Sequence, residues 1–205
     1  MRIGIFGGTF DPIHVGHLIL AERCRDEANL DEVWFLPSYR PPHKAAPVVT
    51  RFEQRCDMVM LATTGQPFFR VEPIERELPP PSYTAETLAE LSQRHPDAEF
   101  ALILGADSLV DLPGWYQPHR IVSQAELLIA PRPGSTVGTA ADLAQALGVV
   151  PEAVRMRVVE SPLIDIASRD LRVRVARGKS IRFLVPRSVE EYIRERSLYR
   201  EAVSG

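Results

Sequence analysis

The amino-acid sequence predicts an α/β fold with a doubly wound, mainly parallel sheet and helices on both faces. Short apolar runs alternate along the chain with segments in which apolar residues recur at helical spacing. The run at 99–105 is apolar almost throughout, which is typical of a central strand that is covered on both faces. A strand, a helix and a second strand near the start of the chain indicate a right-handed parallel crossover.

Length, charge and cysteine spacing describe an ordinary globular chain. At 205 residues we expect one domain over 1–205, with a C-terminal helical part, about 162–205, on the same core. The net charge of -3 gives no reason to expect a nucleic acid polymer. Cys24 and Cys56 lack C-x-x-C spacing, so neither a disulfide framework nor a metal site is expected.

Targeting signals are also missing from the sequence. No apolar run reaches membrane-spanning length, and no signal peptide precedes the first strand, so we expect no membrane contact and a cytoplasmic location. The sequence leaves open whether the chain forms a homo-oligomer.

The first twenty residues carry the clearest chemical signal. An apolar run at 3–6 is short enough for a buried strand, and it breaks at Gly7-Gly8. A turn signal, Asp11-Pro12, then precedes His14 and His17 at the start of a segment with helical spacing. Glycines let backbone N–H groups approach a ligand, a helix N-terminus carries partial positive charge, and imidazoles can donate hydrogen bonds. The stretch therefore suits phosphate.

Two common phosphate motifs do not fit this stretch. The P-loop pattern is absent because no Gly-Lys-Ser/Thr follows the glycines. The dinucleotide fingerprint is absent because Gly4, Gly7 and Gly8 lack the G-x-G-x-x-G spacing.

The rest of the sequence continues the alternation of predicted strands and helices. Apolar runs predict further strands at 32–37, 68–71, 99–105, 125–132, which ends in a proline-locked arginine, and 156–160. Helical spacing predicts helices from Phe52 to about Thr63, over 85–91, from Thr139 or Ala140 to Leu147, after Ser168, and within 185–193. Hydroxyl residues predict side-chain caps at four of the helix starts, at Thr50 in a capping box with Glu53, within Ser82 to Thr84, at Ser168 and at Ser188.

Several candidate ligand groups follow predicted strands, at the edge where open α/β sheets bind ligands. The basic, proline-stiffened loop Pro41-Pro42-His43-Lys44 is one, with a solvated surface loop as the alternative. Asp107, after Gly105, can accept hydrogen bonds from ribose hydroxyls or cap a helix. Trp115 follows a Pro-Gly turn and can stack on a planar ligand or pack in the core. Arg132 is held between two prolines on the same side of the sheet.

Two predicted helix starts can bind anions. The N–H groups around Tyr83 and Thr84 can receive a small carboxylate, although capping alone also explains the hydroxyls there. Arg169 and Arg172 lie three apart near the first turn of a late helix, where they oppose the helix dipole unless an anion lies between them. A solvated basic face that continues through Arg174 is the alternative.

The run Gly7 to His17 resembles the signature of nucleotidyltransferases that carry an H-x-G-H motif. With the later blocks in order, the chain resembles one family in particular, the bacterial nicotinate mononucleotide adenylyltransferases, over nearly its whole length. Those blocks are Pro41 to Lys44, Ser82 to Thr84 with Thr87-Leu88, Gly105 to Asp107, Leu112 to Trp115, Arg132-Pro133 and Ile166 to Arg172. The last block departs from the family's I-S-S-T-x-I-R pattern, because Ala167 and Arg169 replace hydroxyl residues.

The resemblance implies a Rossmann-like fold and a reaction. The 5′-phosphate of nicotinate mononucleotide attacks the α-phosphorus of ATP, giving nicotinate adenine dinucleotide and pyrophosphate, with Mg²⁺ carried mainly by the ATP phosphates. The implied catalytic residues are His14, His17, Lys44 and Arg172. Implied ATP contacts are Gly7, Gly8, Thr9, Phe10, His14, His17, Ile166, Ser168 and Arg172, and implied acceptor contacts are His43, Lys44, Tyr83, Thr84, Gly105, Asp107, Trp115 and Arg132. Pantetheine-phosphate adenylyltransferase and a non-catalytic nucleotide-binding sensor are the alternative functions.

Overall fold

The computed structural model describes residues 1–40, 50–131, 137–162 and 164–200. Within these residues six strands form one sheet, and every neighbouring pair of strands is parallel. The strands are β1 (Arg2–Gly8), β2 (Glu32–Pro37), β3 (Phe69–Val71), β4 (Glu99–Gly105), β5 (Ala125–Ala130) and β6 (Met156–Val158). The predicted α/β class and its parallel sheet are therefore confirmed.

The strand order β3-β2-β1-β4-β5-β6 reverses direction at β1. The chain runs outward from β1 through β2 to β3, returns to β4 on the other side of β1, and continues to β5 and β6. Arg2 to Ile5 pair with Glu99 to Leu102 across this reversal. Such a reversal opens a crevice at the carboxyl ends of the two central strands.

Helices cover both faces of the sheet. They are α1 (Val15–Glu27), α2 (Phe52–Thr63), α3 (Thr84–Arg94), α4 (Ala106–Asp111), α5 (Pro118–Gln124), α6 (Ala140–Leu147), α7 (Ser168–Ala176) and α8 (Arg187–Glu195). Short 3-10 helices lie at Ile74–Arg76, Leu112–Gly114 and Pro151–Ala153. Among the described residues, no helix has both the length and the apolar character that crossing a membrane requires.

Alternate residues of the strands enter two hydrophobic clusters, one on each face of the sheet. On one face, Leu127 and Ile129 of β5 lie in a cluster with side chains of α3, α5 and α6. On the other face, Leu128 lies in a cluster with α1, α2, α7 and α8. The C-terminal helices α7 and α8 therefore share a core with α1 and α2. A single domain over 1–205 stays a prediction.

The helix starts differ from the sequence prediction in how they are capped. The N-cap residues of α2, α3, α7 and α8 are Arg51, Tyr83, Ala167 and Pro186, and none of these four makes a side-chain capping bond. The hydroxyl caps predicted at Thr50, within Ser82 to Thr84, at Ser168 and at Ser188 are therefore wrong. Ser168 instead donates to the carbonyl of Pro12 at 2.9 Å, and Ser188 to that of Leu61 at 3.0 Å. Partners elsewhere in the fold override the local preference for a cap.

Three predicted strands are shorter in the structure, and two short helices were not predicted. β3 begins one residue later than expected, at Phe69, β5 ends at Ala130, before Pro131, and β6 ends two residues earlier than expected, at Val158. α4 and α5 lie on either side of Pro113-Gly114, and their 6 and 7 residues are too few to show helical spacing.

Truncating Leu127 tests the cluster formed with α3, α5 and α6. We expect Leu127→Ala to lower the free energy of unfolding by about 2–5 kcal/mol, because the side chain is fully buried and its removal leaves a cavity. Val110 of α4 is 71% exposed and serves as the control, and Val110→Ala should change the same quantity by less than about 0.5 kcal/mol. Urea unfolding measures both, and losses of equal size would contradict the assignment of the core.

Candidate active site

The crevice at the carboxyl ends of β1 and β4 is a cavity of about 1000 Å³. It unites all the predicted site residues that the structure describes, which are Gly7, Gly8, Thr9, Phe10, His14, His17, Tyr83, Thr84, Gly105, Asp107, Trp115, Ile166, Ser168 and Arg172. His43, Lys44 and Arg132 lie outside the described residues. The cavity therefore joins the first loop of the chain to the start of α3 and to the start of α7.

β1 runs on through Gly8 and does not break at Gly7-Gly8 as predicted, since both glycines pair with β2. One glycine leaves space for a ligand, and the other makes room for a side chain. Apart from its chain neighbours, a Cβ atom at Gly7 would meet no described atom within 4 Å. At Gly8 a Cβ atom would approach the ring of Phe10 to 3.0 Å. That ring is only 1% exposed and stands edge-on to Phe6 and Phe35. Gly7 thus opens onto the cavity, whereas Gly8 makes room for the aromatic side chain beneath the loop.

His17 is oriented by a hydrogen bond at the start of α1. The backbone N–H of His14 donates to Nδ1 of His17 at 3.2 Å. Because Nδ1 accepts, the proton of the neutral imidazole lies on Nε2, which can then donate a hydrogen bond. The ring also stands edge-on to Phe10, with centroids 5.1 Å apart and planes at 80°. Backbone and aromatic contacts together fix the direction in which His17 can donate.

His14 stacks on His17 and is nearly buried. The ring centroids are 3.6 Å apart with planes at 25°, and His14 is 6% exposed. Gly16 makes room for this ring, since a Cβ atom there would lie 3.1 Å from Nδ1 of His14. The glycine between the two histidines is therefore explained by close approach of the stacked pair.

Two N–H groups at the start of α1 are engaged within the protein. Val15 donates to the carbonyl of Leu184 at 3.0 Å, and His14 donates to His17. These two N–H groups therefore do not donate to a phosphate, and fewer donors remain at this helix end than the sequence predicted. The imidazole edges, and the backbone at Gly7 where the cavity is open, are the candidate phosphate donors that follow from this geometry.

Residues of α7 hold the first loop from its other side. Nη1 of Arg172 donates to the carbonyl of Asp11 at 2.7 Å, and Oγ of Ser168 donates to that of Pro12 at 2.9 Å. Arg172 has further N–H groups to offer, because a guanidinium carries five. Arg169 also lines the cavity, but its side chain is 80% exposed. Arg172 is therefore anchored at the cavity, and Arg169 extends from its rim.

The far end of the cavity combines aromatic rings with the start of α3. Tyr83, the N-cap residue, stacks on Tyr116 with centroids 4.4 Å apart and planes at 25°. Trp115 is half-buried, and it lines the cavity while packing against the cluster of α3, α5 and α6. Thr84 is the first residue of α3, and the first N–H groups of a helix have no partner within that helix. This end therefore suits a flat ring that carries a small anionic group.

Arg55 of α2 is a buried cation beside the cavity. It is 1% exposed, and its three nitrogens donate to three backbone carbonyls, those of Thr9 and Ser38 at 2.7 Å and that of Thr50 at 3.2 Å. Burial lowers the pKa of the guanidinium, and the nearby carboxylate of Asp11 opposes this effect. One side chain thus joins the loop after β1, the loop after β2 and the start of α2.

Glu75 is a buried carboxyl on the cavity wall. It is 8% exposed, its Oε2 accepts from the N–H of Tyr39 at 2.9 Å, and the hydroxyl of Ser82 also donates to it. Burial raises the pKa of Glu75 to about 7, although these two hydrogen bonds and the charge of Arg55 limit the rise. Ser82 in turn accepts from the N–H of Arg40 at 3.1 Å. The carboxyl therefore connects the loop after β2 to the start of α3.

The described part of the cavity wall carries more acids than cations. Its permanent cations are Arg169 and Arg172, and its acidic residues are Glu75, Asp107, Asp111 and Asp165. Asp107 lies in the first turn of α4, whose N-cap position is occupied by Gly105. Within the described ranges, no three His, Cys, Asp or Glu side chains converge to hold a metal ion. A polyphosphate bound here therefore needs cations beyond the two arginines.

Comparison with known proteins shows which family this chain belongs to. The model of the Cytidylyltransferase-like family matches residues 5–176. A "Probable nicotinate-nucleotide adenylyltransferase" from Thermomicrobium roseum is 46% identical over 97% of this chain and 92% of its own length. A protein of the same name from Exiguobacterium sibiricum is 42% identical over 97% of this chain and 99% of its own length. The chain belongs to the nicotinate-nucleotide adenylyltransferase family.

Solved structures share the fold of this chain. The Plasmodium falciparum nicotinic acid mononucleotide adenylyltransferase complexed with NaAD has a TM-score of 0.75 at 19% identity, covering 97% of each chain. A structure of that protein complexed with APC has a TM-score of 0.74 at 18% identity, covering 97% of this chain and 96% of the other. The Rossmann-like fold that the sequence resemblance implied is therefore confirmed.

Three residues that shape the site were missed by sequence reasoning. Arg55 did leave a signal, because it falls on the apolar stripe of α2 with Phe52 and Val59, where a charge needs buried partners. Glu75 and Tyr116 lie in short segments without periodicity, so their spacing gave no signal. The prediction of a helix from Phe52 to about Thr63 therefore did not include the contact of α2 with the site.

The raised pKa of Glu75 makes stability depend on pH. A carboxyl with a pKa of about 7 in the folded state and 4.5 otherwise binds more protons when folded between these two values. Its contribution to the free energy of unfolding is present below the lower value and is lost as pH rises through the higher one. We expect the protein to lose about 2 kcal/mol relative to Glu75→Gln between pH 5 and pH 8.

Denaturant unfolding of both proteins at the two pH values measures this difference. Glu77→Gln is the control, because Glu77 is exposed at the surface beside Arg94 and should show no comparable pH-dependent difference. A difference between the protein and Glu75→Gln that stays constant from pH 5 to pH 8 would contradict the raised pKa.

Proposed function

We propose that the chain transfers the adenylyl group of ATP to nicotinate mononucleotide, a step of NAD biosynthesis that gives nicotinate adenine dinucleotide (deamido-NAD) and pyrophosphate. The observation that carries the proposal is a single cavity that contains both the oriented pair His14 and His17 and the aromatic start of α3. The names of relatives that are 46% and 42% identical support the same reaction. We further propose a cytoplasmic location, in keeping with the free thiols of both cysteines.

The reaction needs no nucleophile from the protein. An oxygen of the 5′-phosphate forms a bond to the α-phosphorus of ATP, while the bond from that phosphorus to its bridging oxygen breaks. Pyrophosphate leaves with the electron pair of the broken bond. Catalysis then consists of holding two anions in line and stabilising the charge that develops between them.

We assign the ATP phosphates to the end of the cavity that the first loop forms. His17 donates from Nε2 toward the α-phosphate, and His14 supports it through the stack and contributes its own edge. Residues 7–10 supply backbone N–H groups above the buried Phe10 ring. Ile166 and Ser168 line the same side of the cavity and are assigned to ATP as well.

We assign Arg172, Lys44 and His43 to the triphosphate and the departing pyrophosphate. The anchoring of Arg172 on the carbonyl of Asp11 supports its role, and those of Lys44 and His43 rest on the family resemblance of their loop. Mg²⁺ would be held by the ATP phosphates, because this ion prefers oxygen ligands and retains part of its water. When bound there it supplies neutralisation of the phosphate charge.

We assign the nicotinate ring to the aromatic end of the cavity. The ring stacks on Trp115, and its carboxylate accepts from the N–H groups at Tyr83 and Thr84, where the helix dipole of α3 favours an anion. The stacked pair of Tyr83 and Tyr116 fixes this helix start. The further acceptor assignments are Gly105 and Asp107 for the ribose and Arg132 for the phosphate.

A direct assay tests this function against two rival functions. The protein is incubated with ATP, Mg²⁺ and either nicotinate mononucleotide or phosphopantetheine, and pyrophosphate and the adenylylated product are measured. We expect product with nicotinate mononucleotide. Product with phosphopantetheine alone would indicate a pantetheine-phosphate adenylyltransferase, and nucleotide binding without pyrophosphate would indicate a sensor.

Substitutions of His17 separate its role in the helix start from its role toward ATP. We expect His17→Ala to lower kcat by at least about 100-fold, because a donor to the developing charge is lost. His17→Asn should lower kcat by a similar factor and yet unfold like the parent protein. The amide oxygen of asparagine can accept the N–H of His14, but no group then reaches the position of Nε2.

A histidine outside the cavity controls for this experiment. His119 is exposed and contacts the carbonyl of Leu147 through Nε2 at 2.9 Å, so His119→Ala should retain kcat. Near-normal turnover by folded His17→Asn would refute the assignment of Nε2 to the α-phosphate.

The start of α3 should select the acid over the amide. Nicotinamide mononucleotide lacks the negative charge that pairs with the N–H groups, so we expect kcat/KM to be at least about tenfold higher with nicotinate mononucleotide. Thr84→Pro removes one N–H group and keeps the helix, since proline is tolerated at the first helical position, and it should reduce this preference.

Thr84→Val is the matched control for this selectivity. It removes the hydroxyl and retains the N–H group, so the preference should be unchanged. Equal kcat/KM for the two acceptors in the parent protein would rule out recognition of the carboxylate at this helix start.

A further inference from the structure

The stretch that follows α8 returns to the first loop of the cavity. α8 ends in a Schellman motif, in which the N–H of Leu198 donates to the carbonyl of Ile193 at 3.0 Å and Ser197 takes a left-handed conformation with a φ of 51°. Leu198 and Tyr199 then pack against the cluster of α1, α2, α7 and α8. This turn brings the side chain of Tyr199 to Asp11, in the loop after β1.

The hydroxyl of Tyr199 binds a buried carboxylate. It donates to Oδ1 of Asp11 at 2.6 Å, which is the short distance typical of a hydroxyl and a charged acceptor, and Asp11 is 3% exposed. A phenylalanine ring would fill the same space in the cluster, so packing alone does not explain the hydroxyl. A buried carboxylate needs donors, because it is costly to leave one without them.

The backbone of Tyr199 is held in an unfavourable conformation. Its φ of 62° lies in the left-handed region, which is costly for a residue with a bulky side chain. Such a conformation persists only where the surrounding contacts hold it, and it is found most often at functional sites. The bond to Asp11 and the packing against the cluster are contacts of this kind.

Asp11 connects Tyr199 to the cavity through its own backbone carbonyl. Nη1 of Arg172 donates to that carbonyl at 2.7 Å. Arg172 lines the cavity, whereas neither Tyr199 nor Asp11 is among its described lining residues. Burial and the Asp11 carboxylate raise the pKa of Tyr199, and the charge of Arg172 opposes this rise, so the three groups lie close together. Asp11 therefore binds the tyrosine hydroxyl with its side chain and the arginine with its backbone.

We propose that Tyr199 is a positioning residue, whose hydroxyl fixes Asp11 so that the carbonyl of Asp11 directs Arg172 toward the phosphates of ATP. The proposal rests on the adenylyl transfer proposed above and adds a residue that acts on it without touching substrate. Because Asp11 is held before ATP binds, the guanidinium needs less reorganisation when the triphosphate arrives. Loss of the hydroxyl should then weaken the contact between Arg172 and ATP.

A double-mutant cycle with Arg172 tests whether Tyr199 acts through that side chain. We expect Tyr199→Phe to lower kcat/KM for ATP by about tenfold, because Asp11 loses its donor and no longer holds Arg172 in one direction. In an Arg172→Ala background the same change should lower kcat/KM by less than about twofold, since the group being positioned is absent. Equal factors in the two backgrounds would overturn the proposal, as would unchanged activity of Tyr199→Phe.

Tyr192 provides a matched control for the loss of a hydroxyl. It donates to Oδ2 of Asp57 at 2.6 Å, which is the same kind of bond at the same length, and it joins α8 to α2 outside the described cavity wall. Tyr192→Phe should therefore leave kcat/KM unchanged. A loss of activity of similar size in Tyr192→Phe and Tyr199→Phe would indicate general destabilisation and would overturn the proposal.

Binding of ATP without an acceptor tests the same coupling in the absence of the reaction. The measurement is isothermal titration calorimetry with ATP and Mg²⁺, at a temperature where circular dichroism shows every variant folded. Tyr199→Phe should raise the Kd by about threefold or more in the parent protein and should leave it unchanged in the Arg172→Ala background.

The calorimetric result separates this proposal from the proposed function. An unchanged Kd in Tyr199→Phe, or the same increase in both backgrounds, would overturn the positioning of Arg172 by Tyr199. A parent protein that binds ATP and makes no pyrophosphate with nicotinate mononucleotide would instead refute adenylyl transfer, and an increase in Kd that requires Arg172 would still support the positioning.

Discussion

Side chains from three distant parts of the chain hold the backbone of the loop after β1, and the geometry of the site depends on these contacts. The carbonyls of Thr9, Asp11 and Pro12 accept from Arg55, Arg172 and Ser168 at 2.7, 2.7 and 2.9 Å, and the Asp11 carboxylate accepts from the Tyr199 hydroxyl at 2.6 Å. A carbonyl engaged in this way is not aimed at a phosphate, whose negative charge it would repel. The loop can therefore offer its N–H groups and imidazoles to an anion.

These contacts come from α2, from α7 and from the C-terminal stretch, so the loop takes its shape only when the fold is complete. Ordering a loop costs conformational entropy, and here that cost arises during folding rather than when a ligand binds. Burial and the nearby Asp11 carboxylate raise the pKa of Tyr199, which keeps its hydroxyl a donor over the ordinary pH range. Donors fixed before the ligand arrives need no reorganisation when charge develops, and preorganised electrostatics of this kind usually lowers the reaction barrier more than any other single effect.

The sequence predicted the architecture because burial leaves a readable pattern. Apolar runs of strand length, such as 99–105, were sufficient for the sheet, and His14 and His17 after a glycine pair were placed correctly on the wall of the cavity. Arg55 and Glu75 could not be assigned because their partners are backbone carbonyl and N–H groups, which every part of the chain possesses. The hydroxyl caps failed for a related reason. Ser168 has a local preference that favours a cap, and a loop carbonyl reached only in the folded chain replaced it.

The balance of acidic and basic groups around the cavity determines how favourably it can bind an anion. Arg169 and Arg172 face up to four acidic groups on the described wall, and the charge of Arg55 is shared with Asp11 and Glu75. An arriving polyanion disfavours ionised Glu75, whose pKa of about 7 lets it take up a proton near neutral pH.

The described wall alone therefore does not neutralise a triphosphate, and under the proposed function cations that arrive with ATP offset the remaining charge. An oriented neutral donor such as His17 then contributes most where negative charge grows, at the α-phosphate in the transition state. A donor that interacts more strongly with the transition state than with bound ATP raises kcat, whereas equal binding of both would not.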